Sequence, residues 1–597
     1  MGRLRSSLDN EDDGNAKGKV YDARMMRRVP EYLAGVKVRM ILGGVGTLIH
    51  TIASLAMPYL VAVAIDRFIK TGNFSGLNVI ALAYVVTALI MWGGHYMETL
   101  NLSCAAQGIL FSLRTRMFNH LHDLSLSFFD HNKVGKVMSR IQNDVEQMET
   151  LLTQDIISLI TNALTLIAIA AVMITMNARL AMLALTVVPA LGALLFVWQK
   201  YARRAFMKVR MAIATVNDQL QEGISGVRVT QSLSREAVNL RQFEAVNREH
   251  LNANVEAARL QAFMTPTVEI LTNSAFALVL VFGGAQVLAG EIGVGVLLAF
   301  MLYIQRFFAP VQELIMLYTE LQRAMASGTR IFELLDVAPE IKDSLPPTPM
   351  PRIKGEIKFQ HVSFGYEPGA DVLHDIDLTV NPGETVAIVG PTGAGKSSLT
   401  SLVSRFYDVS HGAVLIDGQN VASVTQRSLR RQIGIVPQDP FLFSSTVGDN
   451  IRYGRPEASR EEVAQAAQAA GAHDFITRLE HGYDTPVGER GGNLSAGQRQ
   501  LVCLARAILT DPRILILDEA TSSVDTNTER IMQTSLRHLA QGRTCLIIAH
   551  RLSTVTDADR IVVIEHGKII ETGSHRELMA KQGLYYQMVE TLNAPGG

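Results

Sequence analysis

The feature that most constrains this 597-residue chain is a set of six long apolar segments in its first half. A helix that crosses a bilayer needs roughly 20 residues for a hydrocarbon core about 30 Å thick. The segments carry almost no charge, which argues against buried helices of a large soluble protein. The sequence therefore predicts an all-α transmembrane domain with six helices. The predicted spans are Ile41–Ile65, Val79–Met97, Ile156–Met176, Leu180–Trp198, Ile270–Leu288 and Val294–Phe308, the last extending to about Met316.

The connections between the spans alternate in length. Asp66–Asn78, Asn177–Arg179 and Ala289–Gly293 are short, whereas about 60 residues separate the second span from the third and about 70 separate the fourth from the fifth. Basic residues follow the fourth span, and by the positive-inside tendency that end faces the cytoplasm. They are Lys200, Arg203, Arg204, Lys208 and Arg210. We therefore expect a multi-pass protein of the cell membrane, with its long connections, both termini and its second half in the cytoplasm.

Each long connection has a loop-like break about midway along it. The first is Phe128-Phe129-Asp130, and the second is Glu222-Gly223 with Gly226. Taken alone, both fit the tips of ordinary helical hairpins.

Four polar side chains lie in or near the spans: His50, His95, Glu269 and Arg306. Ionisable groups in a membrane usually face a cavity, so these could contact a transported substrate. Glu269 and Arg306 lie near the ends of their segments, however, where they could simply reach interfacial water. The sequence assigns no pocket from them.

Composition limits what the rest of the chain can be. The net charge of −1 gives no support for a nucleic-acid partner. Cys104, Cys503 and Cys545 are too scattered for a disulfide or metal site, which indicates free, buried thiols. The N-terminal segment is charged up to Arg28, so we expect no cleaved secretory signal. With a domain boundary at the proline-rich stretch Pro339–Pro351, the predicted parts are a cytoplasmic segment 1–35, the transmembrane domain 36–335, a linker 336–353 and an α/β domain 354–597.

The second half contains a phosphate-binding loop between a strand and a helix. The strand Thr385–Val389 leads into Gly390-Pro391-Thr392-Gly393-Ala394-Gly395-Lys396-Ser397, which fits G-x4-G-K-[ST] in full. Its glycines let backbone N–H groups approach a polyphosphate, and the following helix N-terminus adds a favourable dipole. Lys396 is expected to reach the β- and γ-phosphates, and Ser397 to bind Mg²⁺. The sequence thus predicts a P-loop nucleotide site.

Two carboxylates close the apolar strand Ile514–Leu517. Asp518 can hold Mg²⁺ through water, and Glu519 can orient or activate the attacking water. Glu519 could instead be a structural acid at a strand end, but its position next to Asp518 favours catalysis. His550 closes the strand predicted at Cys545–Ala549 and could contact the γ-phosphate.

A serine–glycine turn, Leu494-Ser495-Ala496-Gly497-Gln498, lies between the P-loop and the acidic strand. A P-loop alone indicates only that a nucleotide is bound. The additional turn indicates a site that is incomplete within one chain and is finished by another.

With these motifs, the second half resembles an ABC-transporter ATPase domain along its whole length. The matching segments are Tyr366 (A-loop), Gln438 (Q-loop), Thr485–Glu489 (X-loop), Leu494–Gln498 (signature), Ser522–Asp525 (D-loop) and His550 (switch histidine). With its six spans, the whole chain resembles a half-size ABC exporter of the type IV architecture. The breaks near Phe129 and Gly226 resemble the coupling helices of such exporters.

The resemblance implies a site for ATP and Mg²⁺. It implies catalytic roles for Glu519 and His550. The metal ligands would be Ser397, Gln438 and, through water, Asp518.

The resemblance also divides nucleotide binding between two chains. Tyr366 would stack on adenine, and the P-loop residues up to Ser398 would bind this chain's ATP. Ser495, Gly497 and Gln498 would bind the ATP of the partner. ATP binding would close the pair of domains and hydrolysis would weaken it, which biases the membrane helices between two arrangements.

One departure from the family pattern concerns the partner chain. The usual signature is LSGGQ, and Ala496 stands at its third position here. Glycine is normally used where the backbone approaches closely or has positive φ. The change is either neutral or the mark of a heterodimer, in which one chain keeps the catalytic glutamate and switch histidine but has an altered signature. We expect a second half-transporter as partner, with a heterodimer slightly favoured over a homodimer.

The expected function is ATP-driven export of hydrophobic or amphipathic, drug-like compounds by alternating access. A lipid or lipid-linked flippase is the alternative on the same scaffold, and an ATP-gated channel or regulator is the alternative from another class. Glu519 and His550 favour turnover over gating. A fold does not fix its cargo, so the sequence leaves the substrate open.

Overall fold

The computed structural model describes residues 23–343, 346–367, 369–518, 526–549 and 555–593. By its contacts the chain divides into two compact units, which we call the membrane unit and the nucleotide unit. The membrane unit comprises residues 23–122 and 135–337, and the nucleotide unit comprises residues 123–134 and the described residues from 338 onward. The domain boundaries expected from the sequence leave residues 123–134 in the transmembrane domain, and they stay predictions.

The membrane unit is built from helices. Six helices among the described residues are long and apolar enough to cross a membrane, which confirms the expected number of spans. Most continue well beyond the apolar run, because residues with good helix propensity follow it. The helices are Ala23–Leu33, Lys37–Val63, Phe74–Asp123, Val134–Ser139, Val145–Thr150, Ile156–Met176, Ala178–Leu185, Val187–Ser225, Val227–Ser232, Glu236–Leu288 and Val294–Leu335, with π-helical turns at Ala64–Ile69, Arg140–Asp144 and Leu151–Asp155.

The connection predicted at Asp66–Asn78 is much shorter in the structure. The π-turn runs to Ile69, and the next helix begins at Phe74. Asn73 makes this tight turn possible, because its side-chain oxygen accepts a hydrogen bond of 3.0 Å from the backbone N–H of Gly76. The loop predicted at Asp66–Asn78 is therefore wrong, because most of these residues are helical.

The second predicted break also differs from the structure. Its first residues, Glu222-Gly223, are still helical, and the helix ends only at Ser225. Gly226 then separates it from the short helix Val227–Ser232. The first break is a short helix as well, Leu126–His131, so both long connections carry a one- to two-turn helix at their tips.

Glycines let the first two spanning helices touch backbone to backbone. A Cβ atom added at Gly46 would lie 2.6 Å from the backbone nitrogen of Glu98. One added at Gly94 would lie 2.8 Å from the backbone nitrogen of His50. Small residues are the usual means by which membrane helices approach closely, so Gly46 and Gly94 fix this crossing.

The last spanning helix is capped by a side chain from the end of the first. Asp66 accepts hydrogen bonds from the backbone N–H groups of Gly295 at 2.8 Å and Val296 at 3.0 Å. A carboxylate at a helix N-terminus satisfies amide donors that lack helical partners and interacts favourably with the helix dipole. This cap joins parts of the chain that are 229 residues apart.

The nucleotide unit is an α/β structure. Its strands are β1 Ile357–Phe364, β2 Leu373–Val380, β3 Thr385–Val389, β4 His411–Ile416, β5 Gln419–Asn420, β6 Ile433–Val436, β7 Ile514–Asp518, β8 Thr544–Ile548, β9 Arg560–Glu565 and β10 Lys568–Gly573. One sheet has the order β2-β1-β4-β5 and is antiparallel. The other has the order β10-β9-β3-β8-β7-β6 and is parallel except for the β10–β9 pair.

The nucleotide unit also contains helices. They are Leu126–His131, Lys396–Val403, Gln426–Arg430, Val447–Arg452, Arg460–Ala469, His473–Ile476, Ala496–Leu509, Thr526–Ala540, His575–Lys581 and Leu584–Asn593, with 3₁₀ turns at Val421–Ser423, Gly482–Asp484 and Glu489–Gly491. One apolar core lies around Phe359, Ile388 and Leu399, and another around Leu501 and Leu517. The predicted fold class, a six-helix transmembrane domain followed by an α/β P-loop domain, is confirmed.

Two of the three cysteines lie in this apolar interior. Cys503 and Cys545 are buried, as expected, whereas Cys104 of the membrane unit is only partly buried. Burial raises the pKa of the Cys545 thiol to about 11 and also raises the pKa of Cys503. Both thiols of the nucleotide unit therefore stay protonated and unreactive near neutral pH.

Candidate nucleotide-binding site

The predicted site residues follow neighbouring strands of the six-stranded sheet. β3 leads into the P-loop, β7 ends at Asp518, and β6 ends two residues before Gln438. Strand β8 lies between β3 and β7, and all four strands are parallel. Ligands of parallel α/β sheets bind at the carboxyl ends of the strands. The fold therefore brings the P-loop, Asp518 and Gln438 to one edge.

The P-loop has a backbone shape that glycine adopts without strain. Gly393 and Gly395 have φ values of 83° and 100°, in the left-handed region. At Gly390 a Cβ atom would lie 2.0 Å from the carbonyl oxygen of Ile564, so only glycine fits there. Between these glycines, Pro391 and Thr392 are exposed and Ala394 is buried.

Lys396 begins the helix that follows the loop, and its side chain is buried. Its ammonium group donates hydrogen bonds to the carbonyl oxygens of Gly390 at 2.8 Å and Pro391 at 2.9 Å. These bonds hold the cationic group against the loop. Ser397 is exposed on the first turn of the same helix, where a hydroxyl could reach a metal bound to phosphate.

Tyr366 lies beside the first turn of that helix. Its hydroxyl and the Ser398 hydroxyl are 2.9 Å apart, at hydrogen-bond distance. The ring of Tyr366 is 38% exposed and makes edge contacts with Phe364 and Tyr407. A partly exposed aromatic ring next to a P-loop is suited to stacking on a base. Ser398 is buried, and its hydroxyl holds the Tyr366 hydroxyl beside the P-loop helix.

Tyr407 is a residue of this site that the sequence did not reveal. Its ring centroid lies 5.1 Å from that of Tyr366, with the two rings nearly perpendicular. Its hydroxyl donates a hydrogen bond to the carboxylate of Asp130, in the short helix Leu126–His131. Burial and the bond to Asp130 raise the pKa of Tyr407, so the phenol stays protonated. Because the two residues are 277 positions apart, no local pattern predicts this pair.

The signature segment forms the start of a helix. Ser495 is the N-cap of Ala496–Leu509: its hydroxyl accepts a hydrogen bond of 3.2 Å from the Gln498 backbone N–H. The Gln498 side chain in turn accepts one of 2.9 Å from the Ser495 backbone N–H, which completes a capping box. Gly497 is buried in the first turn. Ala496 is the first helical residue and does not have positive φ.

Asn493 joins the X-loop to the signature segment. Its side-chain oxygen accepts a hydrogen bond of 3.0 Å from the Gly488 backbone N–H, and its amide donates one of 2.8 Å to the Pro486 carbonyl. Because Leu494 and Ser495 follow Asn493 directly, the X-loop and the helix N-terminus are held in a fixed relation.

Arg506 links the signature helix to the segment after the Q-loop, and sequence reasoning did not single it out. Its guanidinium donates hydrogen bonds to the backbone and side-chain oxygens of Asn450, at 2.8 and 3.0 Å, and to the Phe441 carbonyl at 3.1 Å. Burial lowers the pKa of Arg506, although an arginine remains charged. Its spacing from Ser495 carries no motif, which is why it was missed.

Several predicted residues lie outside the described residues. These are the catalytic candidates Glu519 and His550 and the D-loop Ser522–Asp525. The strand predicted at Cys545–Ala549 is β8, Thr544–Ile548. The described residues that the structure brings to the edge of the sheet are therefore the P-loop, Asp518 and Gln438, with Tyr366 beside the P-loop helix.

The chemistry of the donor groups fits the metal that the resemblance implies. Ser397 offers a hydroxyl, Gln438 an amide oxygen and Asp518 a carboxylate, and all three are the hard oxygen ligands that Mg²⁺ prefers. Ser397 and Gln438 are exposed, and Asp518 is partly exposed at the end of β7. Side chains that reach solvent at this edge can bind a cation that arrives with the nucleotide.

A P-loop ATPase unit in one chain with six apolar helices defines an ATP-driven membrane transporter, and comparisons with known proteins agree. Residues 40–311 match the family model described as the ABC transporter transmembrane region, and residues 373–522 match the model described as ABC transporter. The chain belongs to the ABC exporter family, as a half-transporter of the type IV architecture that couples ATP hydrolysis to transport. Such a fold implies dimerisation and membrane association.

Relatives with assigned roles are similar along most of the chain. A fatty acid ABC transporter ATP-binding/permease protein of Mycobacterium bovis is 41% identical over 514 residues, which is 85% of this chain and 80% of that protein. A putative multidrug export ATP-binding/permease protein of Bacillus subtilis is 36% identical over 579 residues, 96% of this chain and 99% of that protein. The structure of a bacterial Atm1-family ABC exporter with ATP bound aligns with a TM-score of 0.75, at 31% identity, covering 96% of this chain and 100% of that one.

Proposed function

We propose that this chain exports hydrophobic or amphipathic, drug-like compounds across the cytoplasmic membrane by alternating access. The observation that carries the proposal is the apolar character of the membrane unit. Within the described residues, six helices contain an apolar stretch long enough to span a bilayer. A cargo that contacts such helices inside the membrane would meet mainly apolar side chains. The similarity to a putative multidrug exporter supports the same substrate class.

In this proposal the ATP site is divided between two chains. Tyr366 stacks on adenine, and the P-loop with Lys396 binds the phosphates. Ser495 of the same chain completes the site of the partner. The capping box supports that role for Ser495, because it fixes an exposed hydroxyl at a helix N-terminus, where anions are favoured.

We assign Mg²⁺ to Ser397, Gln438 and, through water, Asp518. Held by these residues, Mg²⁺ would supply positive charge that neutralises the phosphates. Glu519 orients or activates the attacking water, and His550 contacts the γ-phosphate. These two roles rest on the sequence pattern and on the family.

Whether the partner is a second copy of this chain or a different half-transporter depends on how Ala496 is interpreted. The sequence favours a heterodimer slightly, since an altered signature suits a chain whose partner has the complementary defect. The helical backbone of Ala496 weakens the conformational part of that reasoning, because this position does not need the positive φ that glycine provides. ATP hydrolysis by the chain purified without any other half-transporter supports a homodimer, whereas activity only with a second half-transporter supports a heterodimer.

We place the protein in the cell membrane with the nucleotide unit in the cytoplasm. The cluster of basic residues from Lys200 to Arg210 supports this orientation by the positive-inside tendency. Protease or thiol-labelling access from each side of sealed vesicles tests the placement.

A lipid substrate is the second candidate, and one observation favours it. The relative from Mycobacterium bovis is named a fatty acid transporter, and a fatty acid is an amphipathic molecule with a long apolar chain. The two candidates share the scaffold and differ in the molecule that stimulates turnover.

The deciding experiment measures vanadate-sensitive ATP hydrolysis in nanodiscs, with drug-like cations or fatty acids added. Stimulation by the drugs, together with their movement into inverted vesicles, supports the first candidate. Stimulation and transfer of fatty acids alone support the second. Glu519→Gln is the matched control and should abolish turnover. If substrate movement persists in Glu519→Gln with ATP present, the chain is an ATP-gated channel and the exporter mechanism is wrong.

A further inference from the structure

The membrane unit holds a cluster of two imidazoles and one carboxylate that lies outside the nucleotide-binding site. His50 comes from the first spanning helix, and His95 and Glu98 come from the second. One ligand atom from each lies within 4.8 Å of the others. Imidazole nitrogen and carboxylate oxygen are the ligands that zinc-type divalent ions accept in proteins.

The contacts inside the cluster are too long for hydrogen bonds. Oε2 of Glu98 lies 3.8 Å from Nδ1 of His50 and 3.6 Å from Nδ1 of His95. Charge-assisted N–H···O bonds are about 2.7–2.9 Å long. Oε2 is nevertheless buried, and no hydrogen bond reaches it in the part of the chain that the structure describes. A buried carboxylate oxygen without a partner is costly in an apolar environment.

The same distances suit a metal ion placed between the three groups. Ligand atoms about 2.0–2.2 Å from a tetrahedral zinc ion are about 3.4 Å apart. The observed separations of 3.6 and 3.8 Å exceed this by a few tenths of an ångström. The ligand nitrogens of His50 and His95 lie within 4.8 Å of each other, so the side chains must rotate to close around an ion.

The backbone holds the cluster in place. Gly46 and Gly94 form the close helix crossing, and His50 lies one turn after Gly46. His95 follows Gly94 directly, and Glu98 lies one turn further. The three ligands therefore surround a crossing that cannot widen without losing backbone contact. Preorganised ligands on rigid elements are what a metal site requires.

A cation on a neighbouring helix does not neutralise Glu98 by hydrogen bonding. Arg306 donates a hydrogen bond to the carbonyl oxygen of Ser54 instead, and Ser54 lies one turn after His50.

The nucleotide unit holds a second cluster of similar composition, His361 with Asp375 and Asp377. In this cluster the groups already bond to one another. Its imidazole nitrogen lies 2.8 Å from Asp375, at hydrogen-bond distance, and all three side chains are exposed.

We propose that His50, His95 and Glu98 bind a divalent transition-metal ion of the zinc type, which bridges the first two spanning helices. The three residues leave a fourth coordination position for water. The His95 side chain is 65% exposed, so the protein does not enclose the cluster on that side. The inference is independent of the transported substrate.

Zn²⁺ binding to the full chain tests the proposal. Metal-stripped protein without a polyhistidine tag is dialysed against buffered Zn²⁺, and bound metal is counted by mass spectrometry. Wild type should hold one more Zn²⁺ per chain than His50→Asn or Glu98→Gln, whose affinity at this site should fall about 100-fold or more. His361→Asn is the matched control and should bind as wild type does.

Co²⁺ provides a readout that does not depend on the variants. A four-coordinate site should give wild type a visible absorption band that Zn²⁺ abolishes and His50→Asn lacks. Monodispersity and ATP hydrolysis report whether the variants are folded. Equal Zn²⁺ content in wild type and both variants, or no four-coordinate Co²⁺ band in wild type, overturns the proposal.

Discussion

In the nucleotide unit, the polar groups of the candidate site come from short runs of residues at the ends of strands. In the membrane unit, polar groups meet because helices distant in sequence pack together, as His50 and Glu98 do across the crossing at Gly46 and Gly94. The difference follows from how each site is made. A phosphate is bound largely by backbone N–H groups of one loop, whereas a site between helices requires side chains from several helices.

The comparison predicts that the two units fail differently when altered. A change in a strand-end loop should remove chemistry and leave the fold intact. A change at a helix crossing should alter stability first. The following predictions test this from the largest expected effect to the smallest.

Lys396→Ala should reduce ATP hydrolysis by 100-fold or more. It removes the cation proposed to bind the phosphates and the two hydrogen bonds to the P-loop carbonyls. Turnover at saturating ATP is the measurement, and thermal unfolding should change little. Lys358→Ala, an exposed site on β1, is the control and should keep wild-type turnover. Comparable turnover in both variants would contradict the role given to Lys396.

Gly94→Ala should destabilise the membrane unit by about 1–3 kcal/mol, because the new methyl group meets the His50 backbone and the helices must move apart. Gly93→Ala is the matched control, because it makes the same substitution at the preceding residue, where a Cβ atom would have no neighbour within 4 Å. It should leave stability unchanged or raise it by up to about 1 kcal/mol. Thermal unfolding in detergent measures both. Equal melting temperatures would show that the crossing is looser than described.

Tyr407→Phe should weaken ATP binding about threefold to fivefold, on the order of 1 kcal/mol for one lost hydrogen bond. The bond to Asp130 positions the ring that packs against Tyr366. Nucleotide affinity measured by calorimetry checks this. Tyr483→Phe is the control. It removes a similar hydrogen bond, 2.8 Å long between the Tyr483 hydroxyl and His473, but away from the P-loop, so ATP affinity should not change. Equal affinity in Tyr407→Phe and wild type would remove Tyr407 from the site.

Ala496→Gly should have the smallest effect, less than about threefold on ATP hydrolysis, with stability lower by up to about 1 kcal/mol. The residue is the first of a helix and already has a helical backbone, so glycine offers no conformational gain. The measurement is the rate of ATP hydrolysis of the variant compared with that of wild type. A tenfold rise would mean that the methyl group obstructs the partner's nucleotide, which restores the case for a heterodimer.

The same difference between continuous segments and contacts across the chain explains which features could be predicted from the sequence. The P-loop, the acidic strand and the signature segment could be recognised because each is a continuous run with a known physical purpose. The signature segment was predicted as a turn, however, and it is the start of a helix. The span Ile156–Met176 was predicted with the bounds that the structure has, since Asn177 ends it with an extended backbone. The connection at Asp66–Asn78 was wrong, because polar composition does not distinguish a loop from a helix that leaves the bilayer.

The contacts that hold distant residues together could not be predicted. Asp66 caps a helix 229 residues away, and Tyr407 bonds to a carboxylate 277 residues earlier. Neither has a sequence signal, because an aspartate or a tyrosine alone fits many environments. His50 and His95 were noticed as unusual in an apolar span, but Glu98, just beyond the predicted second span, was not, and only the crossing brings the three together.

The capping box at Ser495 decides which hydrogen-bonding role its side chain offers. A hydroxyl has one hydrogen and two lone pairs, and the Gln498 amide hydrogen occupies one lone pair. The hydroxyl hydrogen can then point outward beside the remaining helix N–H groups, so the exposed end of the helix presents donors. Such an end discriminates by charge sign: it favours anionic oxygens and disfavours ammonium or guanidinium groups of similar size. The backbone N–H of Gln498 holds the serine rotamer, so Gln498 contributes to the donor character of this helix end in addition to its predicted contact with the partner's ATP.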